Sequence, residues 1–149
     1  MLIRHAHAGD RGRWGTDDDA RPLSDKGRQQ AAALVGLVAD HPVDRVLSSP
    51  LRRCVETVQP LAEARGLPVE DDEALAEGRA SDAIALARRL VGAAAVLCTH
   101  GDVVPDVLGA LMADGMRLNA PQRWAKGSVW LLHSRDGRFA HATYLTPAP

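Results

Sequence analysis

Residues 43–62 read VDRVLSSPLRRCVETVQPLA, and this stretch decides the fold. Val43 to Ser49 reads as a short strand. Ser49-Pro50 marks a helix start, with Ser as the cap and Pro in the first turn. Leu51, Cys54, Val55, Val58, Leu61 and Ala62 then recur at the spacing of one helical face. Gly66 stops that helix. A strand leading directly into an amphipathic helix is the repeating unit of parallel sheets.

The same unit recurs on both sides. Met1 to Ile3 reads as a strand. Residues 9–22, GDRGRWGTDDDARP, are polar and Gly-rich and read as a loop. Ser24 then caps a helix whose apolar face is Ala31, Leu34, Val35 and Val38. Downstream, residues 67–80 are acidic and irregular. Ser81 caps a helix with Ile84, Ala87 and Val91 on one side. Ala94 to Cys98 is a third strand, and His100-Gly101 follows as a turn. The next helix carries Val104, Val107, Leu108, Leu111 and Met112 on one face.

Residues 115–126 read as a loop. Ser128 to His133 and Phe139 to Leu145 are strands joined by the hairpin turn Arg135-Asp136-Gly137. The tail 146–149 is expected to fray. Strands alternating with amphipathic helices predict a three-layer α/β/α fold with a mostly parallel central sheet. The closing hairpin adds an antiparallel strand at an edge. No linker or internal repeat divides the chain, so residues 1–149 are expected to form one domain.

The composition agrees. The chain has 149 residues, 46% hydrophobic and 25% charged, which is enough to bury a core. Only 3% is aromatic, so that core is aliphatic. A net charge of −1 gives no global basic excess for nucleic acid or a membrane surface. Recognition of an anionic ligand must therefore come from a local cluster of Arg. Cys54 and Cys98 lack metal-site spacing and read as reduced, buried thiols of a cytoplasmic protein. No signal peptide and no bilayer-spanning apolar run is visible.

In open α/β sheets, ligands bind beyond the carboxyl ends of the strands. Here those ends carry Arg4-His5, Ser48-Ser49-Pro50 with Arg53 just beyond, and Thr99-His100-Gly101. Adjacent strands would bring two histidines and two arginines to one spot. Such a spot suits a phosphoryl group, which arginine binds with planar paired donors. One neutral imidazole can attack phosphorus and a second can hold a developing oxyanion. Flanking cations are expected to lower the pKa of His5 and favour that neutral form. A leaving alcohol needs a proton, for which Asp71, Asp72, Glu73 and Glu77 are candidates. His5-Ala6-His7 also offers two metal ligands on one strand face, although no carboxylate stands at metal-site spacing from them.

These residues carry a resemblance. Leu2-Ile3-Arg4-His5-Ala6 resembles the signature strand and turn of the histidine phosphatase superfamily, the phosphoglycerate mutase-like family. Ser48 to Thr57 is similar to its second motif, Leu97 to Gly101 to its third, and Pro22 to Ala31 to its helix start. The resemblance implies a nucleophile at His5, phosphoryl-holding arginines at Arg4 and Arg53, and a second pocket histidine at His100. Leu75-Ala76-Glu77 resembles the family's Leu-x-Glu and implies Glu77 as proton donor. No metal or other cofactor is implied.

Ala6 replaces the usual Gly, as in short bacterial phosphohistidine phosphatases. The loop at 9–22 resembles the phosphatase-like domain of actinobacterial Nudix-linked proteins. Its Arg11, Arg13 and Arg21 are candidates for extending the substrate site, and Trp14 for lining its mouth. The expected activity is a metal-independent phosphatase acting on phosphohistidine protein or small phosphomonoesters. A nucleotide phosphatase of the Nudix-linked type is the alternative. The rivals are a non-catalytic phosphate-binding or interaction module and a metal-dependent hydrolase.

Overall fold

A computed structural model describes residues 1–149. Its strands are β1 (Leu2–Arg4), β2 (Arg45–Ser48), β3 (Val69–Asp71), β4 (Ala95–Thr99), β5 (Arg117–Leu118), β6 (Val129–Arg135) and β7 (Arg138–Leu145). Its helices are α1 (Asp25–Leu37), α2 (Arg52–Arg65), α3 (Ala80–Arg89) and α4 (Val103–Ala113). Short 3-10 turns occupy Arg11–Arg13, Gly15–Ala20 and Glu73–Leu75.

Successive side chains of a strand point to opposite faces, and here both faces are apolar. Leu2, Leu47, Leu97 and Trp130 pack on one side with Ala83, Leu86 and Ala87 of α3 and Val104, Val107, Leu108 and Leu111 of α4. Ile3, Val46, Val96, Cys98, Val129 and Leu131 pack on the other with Leu34 of α1 and Cys54, Val58 and Leu61 of α2. A sheet buried on both faces between helix pairs is the three-layer α/β/α arrangement expected from the sequence.

The sheet has seven strands in the order β3-β2-β4-β1-β6-β7-β5. β3, β2, β4 and β1 run parallel, and β6 pairs antiparallel with both β1 and β7. The antiparallel strand therefore lies inside the sheet, with β7 and β5 beyond it. The β6–β7 turn uses Asp136 at φ 51° and Gly137 at φ 75°, the two left-handed residues of a tight hairpin.

Several local readings are corrected. Residues 67–80 contain a strand, β3, because Val46, Leu47 and Ser48 offer a free parallel edge to Val69–Asp71. Residues 115–126 contain β5, paired with His141 and Ala142 of β7. The loop at 9–22 is wound into two 3-10 turns.

Helix α2 begins at Arg52 with Leu51 as its uncapped N-terminus, not at Ser49-Pro50. Helix α3 starts from Arg79 rather than Ser81, and no side chain caps it. Met112 is 40% exposed, outside the buried stripe of α4. The tail is not simply frayed, since Gln30 Nε2 donates to Ala148 O at 3.2 Å. Two predicted stops hold: Ser24 Oγ accepts from Gly27 N at the start of α1, and Gly66 closes α2 at φ 66°. No helix is long and apolar enough to cross a membrane.

Candidate active site

The strand order places the carboxyl ends of β2, β4 and β1 side by side. Arg4 is in register with Thr99, and Ser48 with Cys98. The backbone bonds continue past the strands, from His5 N to Thr99 O at 2.9 Å and from Ser49 N to Cys98 O at 2.9 Å. Three loops thus leave the sheet together, and they carry His5, Ser49 and His100.

His5 is 6% exposed. Its Nδ1 lies 2.8 Å from Ala6 O. A carbonyl only accepts, so Nδ1 carries the proton and Nε2 keeps a lone pair. The turn is held by Thr57, whose Oγ1 accepts from Ala6 N at 2.9 Å and donates to Arg53 O at 2.7 Å. The rings of His5 and His100 meet edge to face, with centroids 5.4 Å apart. The pKa of His5 is lowered to about 3, chiefly by burial. The Ala6 hydrogen bond opposes this, while His100, Arg53 and Arg4 add to it.

Arg53 is fully buried, and its Nη1 donates to Asp18 O at 2.9 Å. Its Nη2 lies 3.3 Å from Asp18 Oδ2 and 3.5 Å from Glu77 Oε2. His100 is also buried, with Nε2 2.8 Å from Ser49 Oγ and 3.5 Å from Cys54 Sγ. Arg4 Nη1 donates to Trp124 O at 2.8 Å. Burial lowers the pKa of Arg4, and Asp102 opposes the effect. Gly101 makes room for this guanidinium, since a Cβ there would stand 2.7 Å from Arg4 Cζ. Four nitrogens of this cluster are buried without a hydrogen-bond partner: Arg4 Nε, Arg53 Nε, Arg53 Nη2 and His100 Nδ1.

Of the four candidate acids, Glu77 joins the cluster. Arg11 donates to both its oxygens, at 3.0 and 3.1 Å. The loop that carries it is anchored on both sides. Leu75 is fully buried, and its carbonyl accepts from Thr99 Oγ1 at 2.6 Å. Gly78 N donates to Asp102 Oδ2 at 2.7 Å. Asp71 and Glu73 are exposed, and Asp72 is used locally, its Oδ1 accepting from Ala74 N at 2.9 Å.

The three loop arginines separate. Arg11 borders the pocket through Glu77 and Asp18. Arg21 is 5% exposed and structural, donating to Asp18 Oδ1 at 2.8 Å and Ala8 O at 2.9 Å. Arg13 is 84% exposed and nearest to Asp10, at 3.9 Å. Trp14 lies beside it, 38% exposed, lining a shallow recess with Ala8, Pro22 and Leu23 rather than touching the histidines. His7 is not aligned with His5 as a ligand pair, since its Nδ1 is 2.7 Å from Ser24 Oγ. No group of three or more His, Cys, Asp or Glu is placed to hold a metal ion. Cys54 and Cys98 are buried and free.

Asp18 was not legible as a site residue. It is 8% exposed and faces Arg11, Arg21 and Arg53. Burial pulls its pKa up, but the Arg21 hydrogen bond and the three arginine charges prevail and hold it below the usual carboxylate range. Three consecutive aspartates, 17–19, follow Gly15-Thr16 here, and only packing tells which turns inward. Ser49 was read as a helix cap, and its contact to His100 depends on neighbouring strands.

Comparison with known proteins agrees with this fold. The model of the histidine phosphatase superfamily (branch 1) matches residues 1–83. The chain is 32% identical over 153 aligned positions to the 8-oxo-(d)GTP phosphatase of Mycolicibacterium smegmatis, covering 99% of this chain and 48% of that protein. It thus spans about half the length of that relative. Among solved structures, the protein histidine phosphatase SixA complexed with tungstate aligns with a TM-score of 0.74 at 19% identity, over 98% of this chain and 93% of that one. A protein assigned as phosphohistidine phosphatase SixA from Agrobacterium tumefaciens aligns with a TM-score of 0.72 at 23% identity, over 99% and 96%. The structural matches share the fold, the family match covers more than half of the chain, and the protein belongs to the histidine phosphatase superfamily, branch 1.

Proposed function

We propose that this protein is a metal-independent phosphatase that works through a phosphohistidine on His5. The observation that carries the reading is the ring of unpaired donors around that imidazole. Arg4 Nε, Arg53 Nε and His100 Nδ1 are buried without hydrogen-bond partners, and Arg53 Nη2 meets only the carboxylates of Asp18 and Glu77, at 3.3 and 3.5 Å. Leaving a buried polar group unpaired costs about 1–3 kcal/mol, more for a charged one. Three in one spot make sense as a cradle for an oxyanion-rich group.

The chemistry follows from the hydrogen bonds. Ala6 O accepts from His5 Nδ1, so Nε2 attacks phosphorus without first losing a proton. Its low pKa keeps it a free base at neutral pH. Arg4 and Arg53 hold the phosphoryl oxygens. His100 Nε2 lies 2.8 Å from Ser49 Oγ; with that hydroxyl as the donor, the ring proton sits on Nδ1 and serves the same oxygens. As the P–N bond to His5 forms, the bond from phosphorus to the leaving oxygen or nitrogen breaks, and Glu77 in its protonated form supplies the proton that the leaving group takes up. Water, activated by the resulting carboxylate, then cleaves the P–N bond and releases inorganic phosphate.

Phosphohistidine on a protein or small phosphomonoesters form the proposed substrate class. A nucleotide is the second reading, favoured by the 32% identity to the 8-oxo-(d)GTP phosphatase across nearly the whole chain.

Hydrolysis of p-nitrophenyl phosphate in EDTA by wild type and His5→Ala, with acid-labile phosphoenzyme trapping, tests the mechanism. Turnover and label in wild type alone are expected. Equal turnover by both proteins, or none by either, would overturn the reading. Relative kcat/KM for a phosphohistidine peptide and for nucleoside phosphates then separates the substrate classes.

A further inference from the structure

The chain has only two lysines among its 18 basic residues, Lys26 and Lys126, and they lie 100 positions apart. The fold brings both to one cavity of about 380 Å³, lined also by His7, Gln30 and the tail at 147–149. Every ion pair in the protein uses an arginine, and neither lysine is within reach of a carboxylate. Two cations and an imidazole thus share a concave site with no Asp or Glu in its lining, and neither lysine pairs with the terminal carboxylate of Pro149. Mutual repulsion makes that arrangement unfavourable unless a ligand supplies the negative charge.

The site adjoins the phosphoryl cradle through the backbone. Gly127 N, next to Lys126, donates to Arg4 O at 3.1 Å and His5 O at 3.2 Å. His7 follows His5 by two residues, and its N donates to Gln30 Oε1 at 3.0 Å. His7 Nδ1 lies 3.3 Å from Gly9 N and 2.7 Å from Ser24 Oγ, so its Nε2 is the ring nitrogen left for a ligand. Lys126 is held below the usual lysine value, first by burial and then by Arg4 and Arg21. His7 is lowered likewise by burial, Lys126, Lys26 and Arg21.

We infer that Lys26, Lys126 and His7 form a second anion subsite, which takes a second phosphoryl group of a substrate whose first is held over His5. The inference rests on the phosphatase reading for its first subsite. A monophosphate fills only the Arg4, Arg53 and His100 cradle. A molecule with two phosphoryl groups, joined directly or through a short spacer, fills both.

Calorimetric binding to the wild-type protein tests this without turnover. The probes are methylphosphonate, methylenediphosphonate and propane-1,3-diphosphonate, none of which is hydrolysed. At least one diphosphonate is expected to bind more than tenfold more tightly than methylphosphonate. Lys26→Gln and Lys126→Gln should each remove roughly tenfold of that preference, with methylphosphonate affinity changed less than twofold. Whichever diphosphonate binds better reports the spacing of the two groups. Equal affinity for all three probes, or a diphosphonate preference that both lysine variants retain, would overturn the subsite. A failure of the phosphatase reading shows separately, as absent p-nitrophenyl phosphate turnover in wild type.

Discussion

Arg11 and Glu77 face each other through two parallel hydrogen bonds, 3.0 and 3.1 Å long, and the same carboxylate lies 3.5 Å from Arg53 Nη2. The acid thus sits between an exposed arginine and a buried one, at the edge of the proposed phosphoryl cradle. Phosphate arriving at Arg53 competes with Glu77 for that guanidinium, and Arg11 keeps the displaced carboxylate nearby. Its role then depends on the leaving group.

Glu77→Gln is expected to lower kcat for alkyl phosphates by roughly 10²–10⁴-fold, the ordinary range of general acid catalysis. p-Nitrophenyl phosphate, with its acidic leaving phenol, should lose far less. Steady-state kinetics on a series of leaving groups checks this. Equal losses across the series would remove Glu77 as the proton donor.

Asp18 is the shared counter-charge of Arg21 and Arg53, 2.8 and 3.3 Å away. Asp18→Ala leaves both buried guanidiniums short of an acceptor and is expected to destabilise the fold by about 2–3 kcal/mol. A urea midpoint lowered without a change of slope is the predicted signature.

The His5 ring should not titrate in the physiological range. Its pKa near 3 predicts that its NMR resonance, assigned by loss in His5→Ala, stays fixed from pH 8 to about pH 5. An unfolded histidine takes up its proton near pH ~6.5. Between that value and about 3 the unfolded state binds more protons, so His5 makes the protein less stable as pH falls through this window. A resonance moving with a midpoint near neutrality would contradict the neutral nucleophile.

Two glycines separate stability from activity. A Cβ at Gly27 would lie 1.9 Å from the carbonyl oxygen of His7, where only backbone can move. Gly27→Ala should therefore destabilise by about 1–3 kcal/mol. A Cβ at Gly101 would lie 2.7 Å from Arg4 Cζ, the movable end of a side chain. Gly101→Ala should leave Tm within a few degrees and reduce kcat/KM by roughly 10² through displacement of Arg4. Thermal melts alongside kinetics distinguish the two.

The sequence alone determined the parts whose cause is local. Strand–helix alternation, the Ser24 cap, the Gly66 stop and the Asp136-Gly137 turn depend on residues a few positions apart, so they were readable directly. Arg4, His5, Arg53 and His100 were readable because each follows or nearly follows a strand end, and parallel sheets gather those ends. Tertiary structure decided what depends on a distant partner. β3 and β5 are short segments with weak patterns of their own, and they become strands only because β2 and β7 present edges to them. Ser49 Oγ meets Leu51 N at 3.4 Å but lies closer, at 2.8 Å, to Nε2 of His100, 51 residues away. Asp18 turned inward because Arg21 and Arg53 wait there unbalanced. Lys26 and Lys126 share a cavity for a reason no local window contains: α1 and the loop before β6 meet where β1 ends.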